Sequence, residues 1–266
     1  MAHPNRLKNA HILVFGGTSG IGFAVASLAL SNNARVTISG STQEKVDSKV
    51  ALLRSIYPSL PAERVTGYAL NLADTQNLEE NLKEFFEKVT NGGQNKVNHV
   101  AFTAGDALRI ASIPEITFDQ IYPAFHVRFA APVIIAKLLS TGKYMPQSPD
   151  SSLTLTAGVN VQKPRPGWAV VAASGAAIEG LARGLAVDLA PIRVNTVSPG
   201  AIDTELLRGA TGNLGEDVKN DLWKRLTLTG RIGRPEDAAE AYAWFMRDGF
   251  ATGTRAETNG GRLLKD

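Results

Sequence analysis

Short apolar or β-branched runs alternate along the chain with longer amphipathic stretches. The runs are HILVF (His11 to Phe15), RVTIS (Arg35 to Ser39), RVTGYAL (Arg64 to Leu70), HVAFT (His99 to Thr103), SLTLT (Ser152 to Thr156) and IRVNTVS (Ile192 to Ser198). They are nearly continuous in apolar character, the pattern of strands buried on both faces in a parallel sheet. Helix-like segments lie between them: Ile21 to Ser31, Gln43 to Ser55, Leu78 to Val89, Phe118 to Leu139 and Ala172 to Leu189. This βαβα order predicts an α/β protein, a single doubly wound parallel sheet with helices on both faces. The polar segment Leu206 to Gly230, which contains Gly209, Gly212 and Gly215, breaks the alternation. It reads as a substrate loop or lid, or as a plain surface excursion.

Composition narrows the function classes. With 266 residues, 44% hydrophobic and 20% charged, the chain is too apolar for disorder and long enough for a sizeable core. No linker-like break appears, so one domain over residues 1–266 is expected. The absence of Cys excludes disulfides and Cys-based metal sites, and no metal is expected. Lys+Arg number 28 against 25 Asp+Glu, scattered rather than clustered, which speaks against a nucleic-acid partner. MAHPNRLKNA lacks an apolar signal core, and no run approaches the roughly 18 uninterrupted apolar residues of a membrane span. The expectation is a cytoplasmic protein acting on a small molecule, with no membrane partner.

The first strand runs straight into Gly16-Gly17-Thr18-Ser19-Gly20-Ile21-Gly22, and a helix follows. Glycines serve a tight turn, close backbone approach to a pyrophosphate and packing of helix on strand, while the helix N-terminus offers N–H groups to phosphate. An ordinary Gly turn would satisfy the glycines alone, but the strand before, the helix after and the alternation downstream agree with a Rossmann-like dinucleotide site.

These residues resemble the short-chain dehydrogenase/reductase family. Gly16 to Gly22 is similar to its TGxxxGIG turn with Gly16 in place of Thr, and Phe102-Thr103-Ala104-Gly105 resembles its NNAG segment. Ile192 to Thr204 (IRVNTVSPGAIDT) resembles the stretch that flanks nicotinamide; Gly230 to Ala239 and Asn259-Gly260-Gly261 resemble its C-terminal part. The resemblance implies a nicotinamide cofactor held by Gly16, Thr18, Ser19, Gly20, Ile21, Ser39, Ser41, Thr42, Asn71, Leu72, Ala104, Gly105, Pro199, Gly200, Ile202 and Thr204. At the end of the second strand stand Ser39-Gly40-Ser41-Thr42, with Lys45 one turn on and no carboxylate before Glu44. Hydroxyls and an ammonium suit a 2′-phosphate, so NADPH/NADP+ is favoured over NAD. Ser41 and Thr42 could equally cap the helix beginning near Gln43. Asn71 stands where the family has an Asp facing adenine.

The family's catalytic tetrad is missing from its expected positions. Registered on IRVNTVSPG, the Tyr falls on Val171 and the Lys on Gly175; the Ser falls on Ala157 or Gly158, and the Asn on Arg128. Reducing a carbonyl builds charge on oxygen and needs a proton donor or oxyanion site. Hydride transfer to an iminium carbon discharges a cation and needs neither. A pericyclic closure can proceed on orientation alone.

Pro164-Arg165-Pro166-Gly167-Trp168 resembles the PDPGW motif of fungal bifunctional reductase/Diels-Alderases that make prenylated indole alkaloids of the malbrancheamide and paraherquamide type. Arg128 at the old Asn position also looks like that subgroup. The resemblance implies reduction of an iminium or zwitterionic azadiene by NADPH, followed by an intramolecular Diels-Alder closure, with Arg128, Arg165 and Trp168 as candidate catalytic residues. Arg165 departs from the motif's Asp; an arginine would bind an anion, not steady a cation. Arg128 could instead pair with a carboxylate on a neighbouring helix, Trp168 could be core packing, and His126 reads as structural. A cofactor-binding scaffold and a carbonyl reductase with a non-tyrosine donor such as Arg128 are the competing readings. Phe118 to Leu139 and Ala172 to Leu189 match helices through which the family forms homodimers and homotetramers.

Overall fold

The computed structural model describes residues 3–108, 110–211 and 215–265. Seven parallel strands form one sheet: β1 (His11–Phe15), β2 (Arg35–Gly40), β3 (Val65–Ala69), β4 (His99–Phe102), β5 (Ser152–Thr156), β6 (Arg193–Pro199) and β7 (Arg255–Thr258). Their order is β3-β2-β1-β4-β5-β6-β7, so the winding reverses between β1 and β4. The first six strands agree with the hydropathic pattern. β7 escapes it because an edge strand with sequence RAET buries only Ala256 and carries no apolar run.

The helices are α1 (Gly20–Ser31), α2 (Gln43–Ile56), α3 (Leu78–Thr90), α4 (Pro123–Phe125), α5 (Ala131–Ser140), α6 (Ala169–Asp188), α7 (Glu205–Thr211), α8 (Glu216–Leu226) and α9 (Pro235–Arg247). β1 shows how both faces are filled. Ile12 and Val14 join a cluster with α1, α2 and α9, while Leu13 and Phe15 join one with α3, α5 and α6. α9 adds to the expected helices, with Ala238, Ala239, Tyr242 and Phe245 buried at helical spacing.

Two expectations are corrected. Phe118 to Leu139 is not one regular helix: a 3₁₀ turn (Phe118–Gln120), α4, a π turn (His126–Ala130) and α5 follow one another. Pro123 and Pro132 interrupt the ladder; Pro132 cannot supply the N–H that the Arg128 carbonyl would accept in α register. The segment 206–230 contains α7 and α8 rather than open loop, and Gly212 lies outside the described residues. In addition, the helical stretches Phe118–Ser140 and Ala169–Asp188 are long and apolar enough to cross a membrane by length and composition, although neither is an uninterrupted apolar run. Here they lay Ile135, Leu139, Ile178 and Ala182 into the core beside the sheet.

Beneath the site, two buried histidines bridge strands. Arg35 Nη2 donates to His11 Nδ1 at 3.0 Å, which leaves the proton on Nε2, 2.9 Å from Thr37 Oγ1. His99 Nδ1 lies 2.9 Å from Ser152 Oγ. Burial, reinforced by Arg35 beside one and Arg193 beside the other, pushes His11 down to about 4 and His99 to about 3.

Candidate active site

The C-terminal ends of β1, β4, β5 and β6 open onto a cavity of about 790 Å³ at the point where the strand order reverses. At one end the glycine turn leaves no room for side chains. A Cβ on Gly22 would lie 2.2 Å from the Gly16 carbonyl oxygen and 2.4 Å from Thr103 Oγ1; one on Gly16, whose φ is 78°, would lie 2.7 Å from the Ala104 nitrogen. Thr103 Oγ1 donates to the Phe15 carbonyl at 2.7 Å, tying β4 to the turn. The first turn of α1 carries no acidic residue, so its N–H groups and partial positive charge face the cavity unopposed.

Gly16, Thr18, Ser19, Gly20, Ile21, Ser39, Ser41, Asn71, Leu72, Ala104, Gly105, Pro199, Gly200, Ile202 and Thr204 all line this cavity. Thr42 does not. Its hydroxyl accepts from Lys45 N–H at 3.4 Å and caps α2, turning toward its own helix. The turn and the open helix end fit the pyrophosphate of a nicotinamide dinucleotide.

The other end is built from the loops after β4, β5 and β6. Arg128, on the π turn, is largely buried, and its Nη2 donates to the Asp106 carbonyl at 2.8 Å while Nε stands 3.7 Å from Asp106 Oδ1. Its carboxylate partner thus lies on the segment after β4, not on a neighbouring helix. Burial lowers the Arg128 guanidinium from its usual range and Asp106 opposes that shift. The guanidinium occupies the space that a side chain at position 105 would take: a Cβ on Gly105 would lie 2.2 Å from Arg128 Cζ.

Val171 is buried in α6, and a Cβ on Gly175 would meet Val161 Cγ2 at 2.6 Å; neither residue lines the cavity. Ala157 and Gly158 do. Beside them Thr156 Oγ1 donates to the Phe102 carbonyl at 2.6 Å and lies 2.5 Å from the buried Tyr242 hydroxyl. Burial pushes that phenol's proton affinity up, and Tyr242 is not on the cavity wall.

Arg165-Pro166-Gly167-Trp168 forms a turn with type II character: Pro at the second position, Gly at the third with φ 81°, and Trp168 N–H bonded to the Arg165 carbonyl at 3.0 Å. Ala111 N–H bonds to the Gly167 carbonyl at 3.1 Å, pinning the turn to the segment after β4. Trp168 then caps α6, and both Arg165 and Trp168 face the cavity.

α7 and α8 close this end with Leu206, Leu207, Leu222, Trp223 and Leu226. Sequence reasoning passed over Trp223, although Leu222, Trp223 and Leu226 share one face of a charged helix and that spacing was visible. It also passed over Asp106, Lys163 and Arg262, which reach the cavity from separate loops and carry no local signal. No group of His, Cys, Asp and Glu able to hold a metal occurs among the described residues.

A family model described as an SDR-like Rossmann domain matches residues 3–265. The short-chain dehydrogenase/reductase malC of Malbranchea aurantiaca is 41% identical over 97% of this chain and 96% of its own length. The short-chain dehydrogenase/reductase fsr5 of Gibberella fujikuroi is 38% identical over 98% of this chain and 97% of its own. The solved structure of the MalC reductase/Diels-Alderase superposes with a TM-score of 0.91 at 40% identity, covering 98% of this chain and 100% of that one. Strand order, glycine turn, cavity position and these likenesses lead to one conclusion: the chain belongs to the short-chain dehydrogenase/reductase family of oxidoreductases.

Proposed function

We propose that the protein uses NADPH to reduce a cationic C=N group, an iminium intermediate of indole-alkaloid secondary metabolism, and holds the product for an intramolecular Diels-Alder closure. One observation carries the reading: among the described residues the cavity wall holds no Tyr and no His. Its carboxylates and its lysine are committed or peripheral, and its arginines hold their protons too tightly to serve as acids. Asp106 faces Arg128, the Lys163 ammonium donates to the Lys265 carbonyl, and Glu205 is exposed on α7.

The dinucleotide, when bound, supplies a hydride. The chain's residues have three tasks. The Gly16 to Gly22 turn and the α1 N-terminus bind phosphate. Ser39 and Ser41 offer hydroxyls where NAD-binding members of this architecture place a carboxylate, which favours the 2′-phosphate. Trp168, Trp223 and the α7–α8 leucines exclude water and offer indole faces to a flat aromatic and cationic substrate. An iminium carbon loses its charge on accepting hydride, so no residue has to deliver a proton. The same wall can hold diene and dienophile in contact, the orientation a pericyclic closure needs; the MalC relative is named for both activities.

Self-association into a homodimer or homotetramer belongs to the same reading, since Val133 on α5 and Val187 on α6 lie exposed. So does a cytoplasmic location, where NADPH is supplied. The test is anaerobic single-turnover NADPH oxidation against matched cyclic iminium and ketone substrates, with NADH as control and products resolved by chiral chromatography. Turnover of the iminium alone, faster with NADPH, supports the reading; turnover of the ketones, or of nothing despite tight NADPH binding, rejects it.

A further inference from the structure

The charges on the cavity wall do not suit a simple cation. Arg128, Lys163, Arg165 and Arg262 face it against only Asp106 and Glu205, and Asp106 is taken up by Arg128. Arg165 and Arg262 have no ion pair and no side-chain hydrogen bond among the described residues, and Arg262 Nη1 is buried without a partner. A buried guanidinium N–H left unpaired, as at Arg262 Nη1, is costly, and a second like charge at the same wall adds repulsion. Burial, and then the charge of Arg262, push the Arg165 guanidinium below its usual range.

Both arginines are nevertheless held in place by their backbones. The turn of Arg165 is locked by Gly167 and by its bond to Ala111. Arg262 follows Gly260 and Gly261, with φ of 63° and 75°; Asn259 Oδ1 accepts from the N–H groups of Gly261 at 3.0 Å and Arg262 at 3.1 Å. Leu228 N–H bonds to the Gly260 carbonyl at 2.7 Å, anchoring this corner beside the end of α8. Two guanidiniums without a protein partner among the described residues, carried to one wall by fixed backbones from loops far apart in sequence, make a site that lacks only its acceptor.

We infer that Arg165 and Arg262 form an anion subsite that takes a carboxylate on the substrate, so that the cationic C=N group arrives as part of a zwitterion. Planar guanidiniums match the two oxygens of a carboxylate. The anion offsets the surplus positive charge that would otherwise repel the iminium. This deepens the proposed reductase activity and rests on it for the identity of the reacting group, while the subsite itself stands on its own geometry.

The experiment compares 1-naphthoate with the neutral isostere 1-naphthamide, titrated by calorimetry into NADP+-saturated protein and into the free protein. The expected result is about tenfold tighter binding of the naphthoate. R165Q and R262Q should each shrink that ratio, and the double variant should bring it close to one, with NADP+ affinity unchanged. Both variants should keep or raise Tm, because each removes an unpaired charge. R165D should invert the preference, toward 1-naphthylmethylammonium.

Equal binding of the two probes by the unsubstituted protein, or a ratio that survives the double substitution, overturns the inference. Loss of NADP+ affinity with the ratio intact overturns it too, assigning the guanidiniums to cofactor phosphates. If NADP+ fails to bind while the free protein still prefers naphthoate, the reductase reading falls and the subsite stands. If NADP+ binds and the preference is absent, only the subsite falls.

Discussion

The two ends of the cavity are built under different constraints. At the turn end, backbone geometry dictates residue type: a Cβ on Gly16 or Gly22 would lie 2.7 or 2.2 Å from main-chain atoms, so no side chain fits without moving the strand-to-helix connection. At the far end side chains set the chemistry, and a position such as Arg165 holds a residue that no steric rule requires there. A dinucleotide frame can therefore persist while the reaction it serves changes.

The largest effect is expected where that frame is most rigid. G22A should lower NADPH affinity by about 100-fold or more and destabilise the protein by about 1–3 kcal/mol, read by fluorescence titration and denaturant melts. Unchanged affinity would detach the turn from cofactor binding and erase the contrast. The sheet beneath both ends should respond to acid. Unfolded histidine titrates near 6.5, whereas folded His11 titrates near 4 and His99 near 3. Between those values the unfolded chain binds more protons, so stability is full above about pH 6.5 and falls as pH drops toward 4. For His11 alone the loss is on the order of 3 kcal/mol. Denaturant midpoints across that range measure it, and H99Q should flatten part of the slope.

At the far end, G105A should displace the Arg128 guanidinium, which is the mobile end of a long side chain, with little loss of Tm. Single-turnover reduction should slow about tenfold, while NADPH affinity, to which Gly105 itself contributes, falls far less than for G22A; a cofactor loss as large as that of G22A would place Arg128 in the frame instead. The smallest effect is T42A. Loss of the α2 cap should cost about 1 kcal/mol, with the NADPH to NADH preference unchanged. A selective loss of NADPH affinity would return Thr42 to the phosphate site.

What the sequence revealed follows the same division. Buried parallel strands such as His11–Phe15 and Arg193–Pro199 announce themselves by continuous apolar runs, and the glycine turn by its place between strand and helix. β7 could not, because its outer face is polar. The interruption at Arg128 was implicit in Pro123 and Pro132, but whether prolines kink, widen or end a helix depends on what packs against it. The cofactor-end residues fall in several short motifs, Gly16 to Gly22 and Pro199 to Thr204 among them, each readable on its own. Arg262, Lys163 and Trp223 meet the cavity from loops and a helix far apart in the chain, and only the folded arrangement brings them to one wall.

The central claim is that hydride transfer here needs no acid from the protein. Single-turnover NADPH oxidation with a permanently charged N-alkyl iminium, which has no proton of its own to titrate, tests it directly between about pH 6.5 and 9, where the buried histidines stay neutral. The account predicts a rate constant that is flat across this range. A rate that titrates with a single protein group, falling as that group loses its proton, would contradict it and identify a donor that replaces the missing tyrosine.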